Sequence, residues 1–173
     1  MKKIVLISLM FILSVTAFAQ VKVNFTGYPD VGIQYKRCFA NGNTAYVDFI
    51  LVNNTGKTLN ASFSCEVILN KTKIRSSAFD DEGNVYYTYH YLHGTPERRL
   101  YSISLAGEHV IIGETARHIM IPTNVTLKGR IEIKDLDEYA TSFNLIRLAL
   151  GGVSSEYYGS ALLEFRNVPI TRE

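Results

Sequence analysis

What this sequence lacks first is an excess of charge of either sign. Lysine and arginine number 18 against 16 acids in 173 residues, and two of the cations, Lys2 and Lys3, open a segment that reads as an export signal. Without those two, 16 cations face 16 acids. The one basic cluster that follows, Glu97-Arg98-Arg99, is too small to make the dense positive surface that nucleic acid or an anionic membrane requires. Nucleic-acid binding is therefore not expected. Also missing are a Gly-Xaa-Ser-Xaa-Gly elbow and any serine or cysteine in a setting that suggests activation by one of the four histidines. No catalytic residue and no cofactor is implied.

Long apolar runs are scarce as well. The opening MKKIVLISLMFILSVTAFAQ has a short apolar stretch over residues 4–13, and Ala17-Phe18-Ala19 places small residues where a signal peptidase reads. The stretch is short for a membrane span, and no cysteine follows the cleavage point to carry a lipid. Residues 1–19 are thus read as a signal peptide and residues 20–173 as one exported domain, secreted or periplasmic, beginning at Gln20. Removing 19 residues from 173 leaves 154, enough for one self-sufficient core. No membrane span is expected after cleavage.

What is present is alternation. Leu59, Ala61, Phe63, Cys65, Val67 and Leu69 fall on one face of an extended chain, and Asn60, Ser62, Ser64, Glu66 and Asn70 on the other. Val125, Leu127, Ile131 and Ile133 alternate with polar residues in the same way. Residues 45–52 are apolar on both faces and predict a covered or central strand, flanked by turn signals in Asn41-Gly42-Asn43 and Asn54-Thr55-Gly56-Lys57. Further strands are predicted at 31–39, 84–92, 98–105, 108–112 and 159–168. About eight strands in one domain imply two packed antiparallel sheets. Asp135-Leu136-Asp137-Glu138 has the spacing of a helix capping box, and Leu136, Tyr139, Phe143, Ile146 and Leu150 recur at helical intervals. Thr141-Ser142-Phe143-Asn144 are mediocre helix formers, so the expectation is a helical turn at 136–141 and a strand at 143–150, with a full helix as the alternative.

Two segments carry a resemblance: Val47-Asp-Phe-Ile-Leu-Val-Asn-Asn-Thr-Gly-Lys-Thr-Leu59 and Ser160-Ala-Leu-Leu-Glu-Phe-Arg-Asn-Val-Pro-Ile170. An apolar strand ending in Asn, then Thr-Gly-Lys and a second strand, resembles the second hairpin of immunoglobulin-like, telokin-like domains of uncharacterised secreted bacterial families. Asp80-Asp-Glu-Gly-Asn84 before tyrosines resembles the turn before a middle strand in the same group. The resemblance implies an all-β, two-sheet antiparallel immunoglobulin-like β-sandwich and assigns no activity. Asp135 and Tyr139 also resemble the tyrosine corner of immunoglobulin domains. The cysteine that should follow is Thr141, and the chain has no tryptophan, so neither the inter-sheet disulfide nor the buried indole carries over.

The densest candidate stretch is NVYYTYHYLHG, residues 84–94. In a strand, Tyr87, Tyr89 and Tyr91 lie on one face and Tyr86, Thr88 and His90 on the other. One face must be covered; the other, with Tyr157 and Tyr158 elsewhere, makes an aromatic strip suited to sugars or a protein partner. The strand propensity of tyrosine explains the run equally well. His90 and His93 point to opposite faces of a strand and lack a third ligand nearby, so an exposed strand end is preferred to zinc. Asp80-Asp81-Glu82-Gly83-Asn84 is rich in oxygen, but its spacing is not that of an EF-hand, and a β-turn with Gly at positive φ is the simpler reading. Asn24, Asn53, Asn60, Asn70 and Asn124 each begin an Asn-Xaa-Ser/Thr triplet. The bacterial look of the Met-Lys-Lys start makes these a matter of composition.

Export would expose Cys38 and Cys65 to an oxidising compartment. Cys65 shares the apolar face of Phe63 and Val67, whereas Cys38 shares parity with Gln34 and Lys36. Opposed faces predict two free thiols, although a bulge near Lys36-Arg37 would turn Cys38 inward. The reading is an exported, non-catalytic binding or structural module, with a protein or glycan of the cell envelope as its partner. The alternative is a small exported hydrolase with a site on inter-strand loops.

Overall fold

The computed structural model describes residues 20–27, 29–88, 99–113, 118–152 and 159–173. Their strands are β1 Lys22–Thr26, β2 Val31–Asn41, β3 Thr44–Asn53, β4 Leu59–Ser64, β5 Glu66–Leu69, β6 Thr72–Arg75, β7 Ser77–Asp80, β8 Val85–Tyr87, β9 Arg99–Leu105, β10 Glu108–Ile111, β11 His118–Ile121, β12 Thr126–Lys134, β13 Ser142–Gly152, β14 Ser160–Pro169 and β15 Thr171–Arg172. No helix occurs among the described residues.

Thirteen strands form one mixed sheet whose path runs β1-β14-β13-β7-β8-β9-β12-β3-β2-β15, with β10 on β9, β4 on β13 and β11 on β4. Among the described strands only β8 with β9 and β15 with β2 run parallel. This corrects the expected two-sheet immunoglobulin-like sandwich of about eight strands. A sandwich needs its pairing to stop between the sheets, and here it does not stop. β13 bridges the place where two sheets would part: one edge pairs with β14 along its length, while the other takes β7 first and β4 beyond it.

The single sheet buries its core by curling into a half-barrel. Phe49 of β3 and Phe165 of β14 lie far apart along the path, yet their ring centroids are 5.7 Å apart, so the two walls meet across the interior. Local bulges supply the bend. The pairing shifts between Tyr35 and Arg37 in β2, between Glu132 and Ile133 against β9, and between Phe143 and Leu145 against β7. Each extra residue raises the local twist and bends its strand. The interior is filled by Val47, Phe49, Ile103, Ile131, Ile146, Leu148, Leu163 and Phe165, all essentially inaccessible, and such burial is the main stabilising term of the fold.

Several expectations change in detail. The run 59–70 is not one strand: it breaks at Cys65, and β5 turns through Asn70 and Lys71, both at positive φ (50° and 65°), into β6. β5 lies against β13 and β14 as a hairpin outside the main sheet. Ser76 ties its base, donating from Oγ to the Ser64 carbonyl at 2.6 Å and accepting from the Ala149 N–H at 2.8 Å. The helical turn at 136–141 does not form. Asp137 instead accepts the Tyr139 N–H on Oδ1 at 2.9 Å and the Ala140 N–H on its carbonyl at 3.3 Å, a local side-chain turn that competes with helix. The strand expected after it is β13. The tyrosine corner fails too, because Tyr139 is 71% exposed and Asp135 sits at φ 58°.

The motif Asn53-Asn54-Thr55-Gly56-Lys57 has a different rationale from the resemblance. Asn53 is fully buried; its amide donates to the carbonyls of Lys57 and Ile121, and its Oδ1 accepts from the N–H and hydroxyl of Thr55. All four polar positions of the side chain are thereby used.

Candidate functional site

Of the residues expected to bind, Tyr87 is 38% exposed on β8, whereas Tyr89, Tyr91, Tyr157 and Tyr158 lie outside the described residues, as do His90 and His93. The buried face of the stretch is that of Tyr86 and Thr88, both inaccessible. Tyr86 donates its hydroxyl to Asp80 Oδ2 at 2.7 Å, accepts from the Asp137 N–H at 3.2 Å and packs edge-on to Phe143 at 5.7 Å. It is an anchor of the core.

The acidic turn is structural. Asp80 accepts the N–H and side-chain amide of Asn84 together with the Tyr86 hydroxyl. Asp81 accepts the N–H and hydroxyl of Thr141 and the N–H of Ser142. Partial burial pushes the Asp81 carboxyl up, but these hydrogen bonds outweigh it and hold the group below the usual carboxylate range. Gly83 takes φ 85°, as the β-turn reading requires. Among the described residues no three His, Cys, Asp or Glu side chains gather to hold a metal ion.

The chemistry that does converge lies on the outer face of β2, β3, β12 and β9. Register sets it in rows. Arg37, Asp48, Arg130 and Ser104 are successive cross-strand partners, as are Phe39, Tyr46, Glu132 and Ser102. In the first row Asp48 accepts Arg37 Nε at 2.9 Å, Arg130 Nε at 2.6 Å and Arg130 Nη2 at 3.0 Å. Burial pushes the Asp48 carboxyl up; the hydrogen bonds from Arg130 and Arg37 prevail and hold it below the usual carboxylate range. In the second row the Phe39 and Tyr46 rings stack at 5.3 Å. Arg37 lies 4.4 Å from the Phe39 centroid, Arg130 5.5 Å from that of Tyr46, and Lys134 Nζ 3.4 Å from that of Tyr101. These are cation–π distances. Rings and guanidinium groups thus hold one another in a network of contacts.

The β2 bulge shapes this face. Because Lys36 is the extra residue, Lys36 and Arg37 are both exposed, and Cys38 turns inward to 2% exposure. Strict alternation had placed Cys38 outward, and the bulge corrects it. Burial, then the nearby Asp48 charge, pushes the Cys38 thiol up to about 12, so it is not a nucleophile. Beside the first row, on the side away from the second, lies an open groove of about 600 Å³ lined by Lys36, Asp48, Ile50, Ser104, Lys128 and Arg130, with Phe49, Leu105, Gly107 and Gly129 completing it.

At its rim stands a pair that the sequence did not disclose: Ser104 Oγ lies 3.0 Å from His109 Nδ1. The two are direct partners across the Ala106-Gly107 turn, and the turn is the signal that could have found them. The pair is exposed, and no described carboxylate orients the other ring nitrogen.

No family model matches the chain, and no curated protein matches it. Among solved structures, a family 123 glycoside hydrolase from Clostridium perfringens, described for glycolipid glycan hydrolysis, aligns with 11% identity and a TM-score of 0.39 over 83% of this chain. The chain spans 27% of that protein's length. A likeness of that depth transfers neither fold nor activity.

Proposed function

We propose that residues 20–173 form an exported, non-catalytic recognition module that engages a protein or glycan of the cell envelope through the outer face of β2, β3, β12 and β9. One observation carries this reading: the interlocked set Arg37, Phe39, Tyr46, Asp48 and Arg130, a polar and aromatic surface fixed before any ligand arrives. Such preorganisation lowers the ordering cost of binding, and aromatic and arginine side chains are the usual anchors of recognition surfaces. β1 starts at Lys22, just beyond the expected cleavage point, so removal of the signal leaves every described strand intact.

The test is a glycan array beside a pull-down from envelope fractions, with wild type, Tyr46→Ala and Arg130→Ala. Binding by wild type that both variants weaken supports the module. Equal capture by all three would place recognition elsewhere.

A second reading, a small hydrolase, is favoured by the Ser104–His109 contact alone. Activated-ester and aryl-glycoside turnover separates the two: activity abolished by Ser104→Ala or His109→Ala would replace the module with the enzyme.

A further inference from the structure

The groove on the outer face has a chemistry of its own. Its charged lining is three cations, Lys36, Lys128 and Arg130, against one carboxylate, Asp48. That carboxylate is already held by two arginines, so it subtracts little from the positive field. Lys36 and Lys128 are both exposed, and among the described residues neither has a carboxylate within ion-pair distance. Ile50, the direct partner of Lys128 on β3, adds an apolar patch between them. An electropositive concavity with an apolar patch and a fixed guanidinium at one side is complementary to a ligand bearing negative charge on a partly apolar ring.

We infer that this groove takes an anionic sugar: Lys36 and Lys128 pair with its carboxylate or sulfate while a ring face lies on Ile50. The inference rests on the recognition reading and names its ligand class. A sugar is favoured over an acidic peptide by where the groove sits. The central strands of its floor, β3, β12 and β9, are each paired on both sides, so their main-chain groups are already bonded. An extended peptide draws affinity by adding beside a free sheet edge; the free edge nearby is that of β2 before Phe39, which runs along the border of the sheet, whereas the groove lies on its face. A sugar is recognised by side chains alone.

The β2 bulge is what makes the site. A regular β2 would turn one of Lys36 and Arg37 inward; the extra residue leaves both outside. One of them then clamps Asp48 and the other is left to a ligand.

The experiment measures binding of the mature protein to three probes by calorimetry at low and high salt: a uronic-acid oligosaccharide, a sulfated oligosaccharide, and the carboxyl-reduced neutral form of the first. A polyglutamate peptide is the control. The expected result is binding of one or both acidic sugars, weakened by salt, lost with the neutral form, and reduced at least about tenfold in Lys36→Ala/Lys128→Ala by loss of two charge-assisted contacts. Both lysines are exposed, so the variant should keep the wild-type circular dichroism and melting midpoint. Which acidic sugar binds distinguishes carboxylate from sulfate. Neutral sugar bound as tightly as acidic, with dependence on Tyr46, would overturn this inference and leave the recognition module standing. Polyglutamate bound as tightly as the acidic sugars, or none of the probes bound, would overturn it outright.

Discussion

Phe49 lies over Gly129 in the place a side chain would occupy. The two are direct partners on β3 and β12, and a Cβ built on Gly129 would fall 2.2 Å from Phe49 Cζ. The ring is 2% exposed and faces Phe165, so it has nowhere to retreat. Gly129→Ala is expected to cost about 2 to 3 kcal/mol, as overpacking does. Pairing it with Phe49→Leu should recover part of that loss, and a double-mutant cycle in denaturant measures the coupling. Additive losses would show that the ring and the glycine do not share this space.

Tyr86→Phe removes one hydroxyl and leaves two partners, Asp80 Oδ2 and the Asp137 N–H, without their shared bond. The expected loss is about 1 to 3 kcal/mol, and Tyr86→Ala should cost more, about 3 to 5 kcal/mol. Tyr87→Ala, at an exposed position on the same strand, should stay within about 0.5 kcal/mol. Urea unfolding of the three variants checks the order.

Acid should destabilise the fold through carboxylates whose folded pKa is depressed. Glu164, 7% exposed at its side chain, accepts Arg147 Nε at 2.8 Å and Arg166 Nη2 at 3.0 Å. Burial pushes the group up, and the two arginines overcome this and bring it below its ordinary value. Asp48 and Asp81 are lowered likewise. A depressed folded pKa gives stability that is fully present above the unfolded value, 4.5 for glutamate and 3.8 for aspartate, and is lost as pH falls through the folded one. The melting midpoint should hold from neutrality to about pH 5 and fall below about pH 4. Glu164→Gln should melt lower at pH 7 and show a shallower acid slope; an unchanged slope would assign the acid sensitivity elsewhere.

Cys38 and Cys65 are both unbridged. Strand parity did not supply the reason, because the β2 bulge turns Cys38 inward. Separation does: Cys38 belongs to β2, and Cys65 follows β4 on the far wall beside β13. In the native protein a thiol reagent should label Cys65, which is partly accessible, well ahead of buried Cys38. In denaturant without reductant two thiols per chain should titrate. A monomer with none would show that the walls come closer in solution than they do here.

Much of the fold was legible wherever alternation was unbroken. β3 and β12 run without internal interruption against each other, and both were readable, as was the Asn41-Gly42-Asn43 turn between β2 and β3. The rest was hidden by single residues. Lys36 inverts the parity of β2, and the break at Cys65 starts a hairpin, turned at Asn70-Lys71, where one strand over 59–70 had been expected. Nor does alternation reveal which strands adjoin: the same pattern serves a sandwich or one curled sheet, and only the double pairing of β13 decides. The outer-face site was invisible for the same reason. Arg37, Asp48 and Arg130 form no local motif; they meet because three strands align in one register. The tyrosine run, by contrast, drew notice for its composition, and its first ring proved to be a core anchor.

The hairpin of β5 and β6 departs from the sheet after Cys65 and returns at Ser76, where the Ser76 N–H donates to the Cys65 carbonyl at 2.7 Å. Its two roots are therefore already fastened to each other before the chain between them contributes anything. β4 and β7 lie end to end along β13 on either side of that knot, so the barrel wall does not depend on how far the excursion reaches. New segments grafted at the Asn70-Lys71 tip would be charged only the slow logarithmic entropy of a longer loop. This is the point at which the protein can change size over evolution, or accept a foreign epitope in the laboratory, without disturbing the register of a single wall strand.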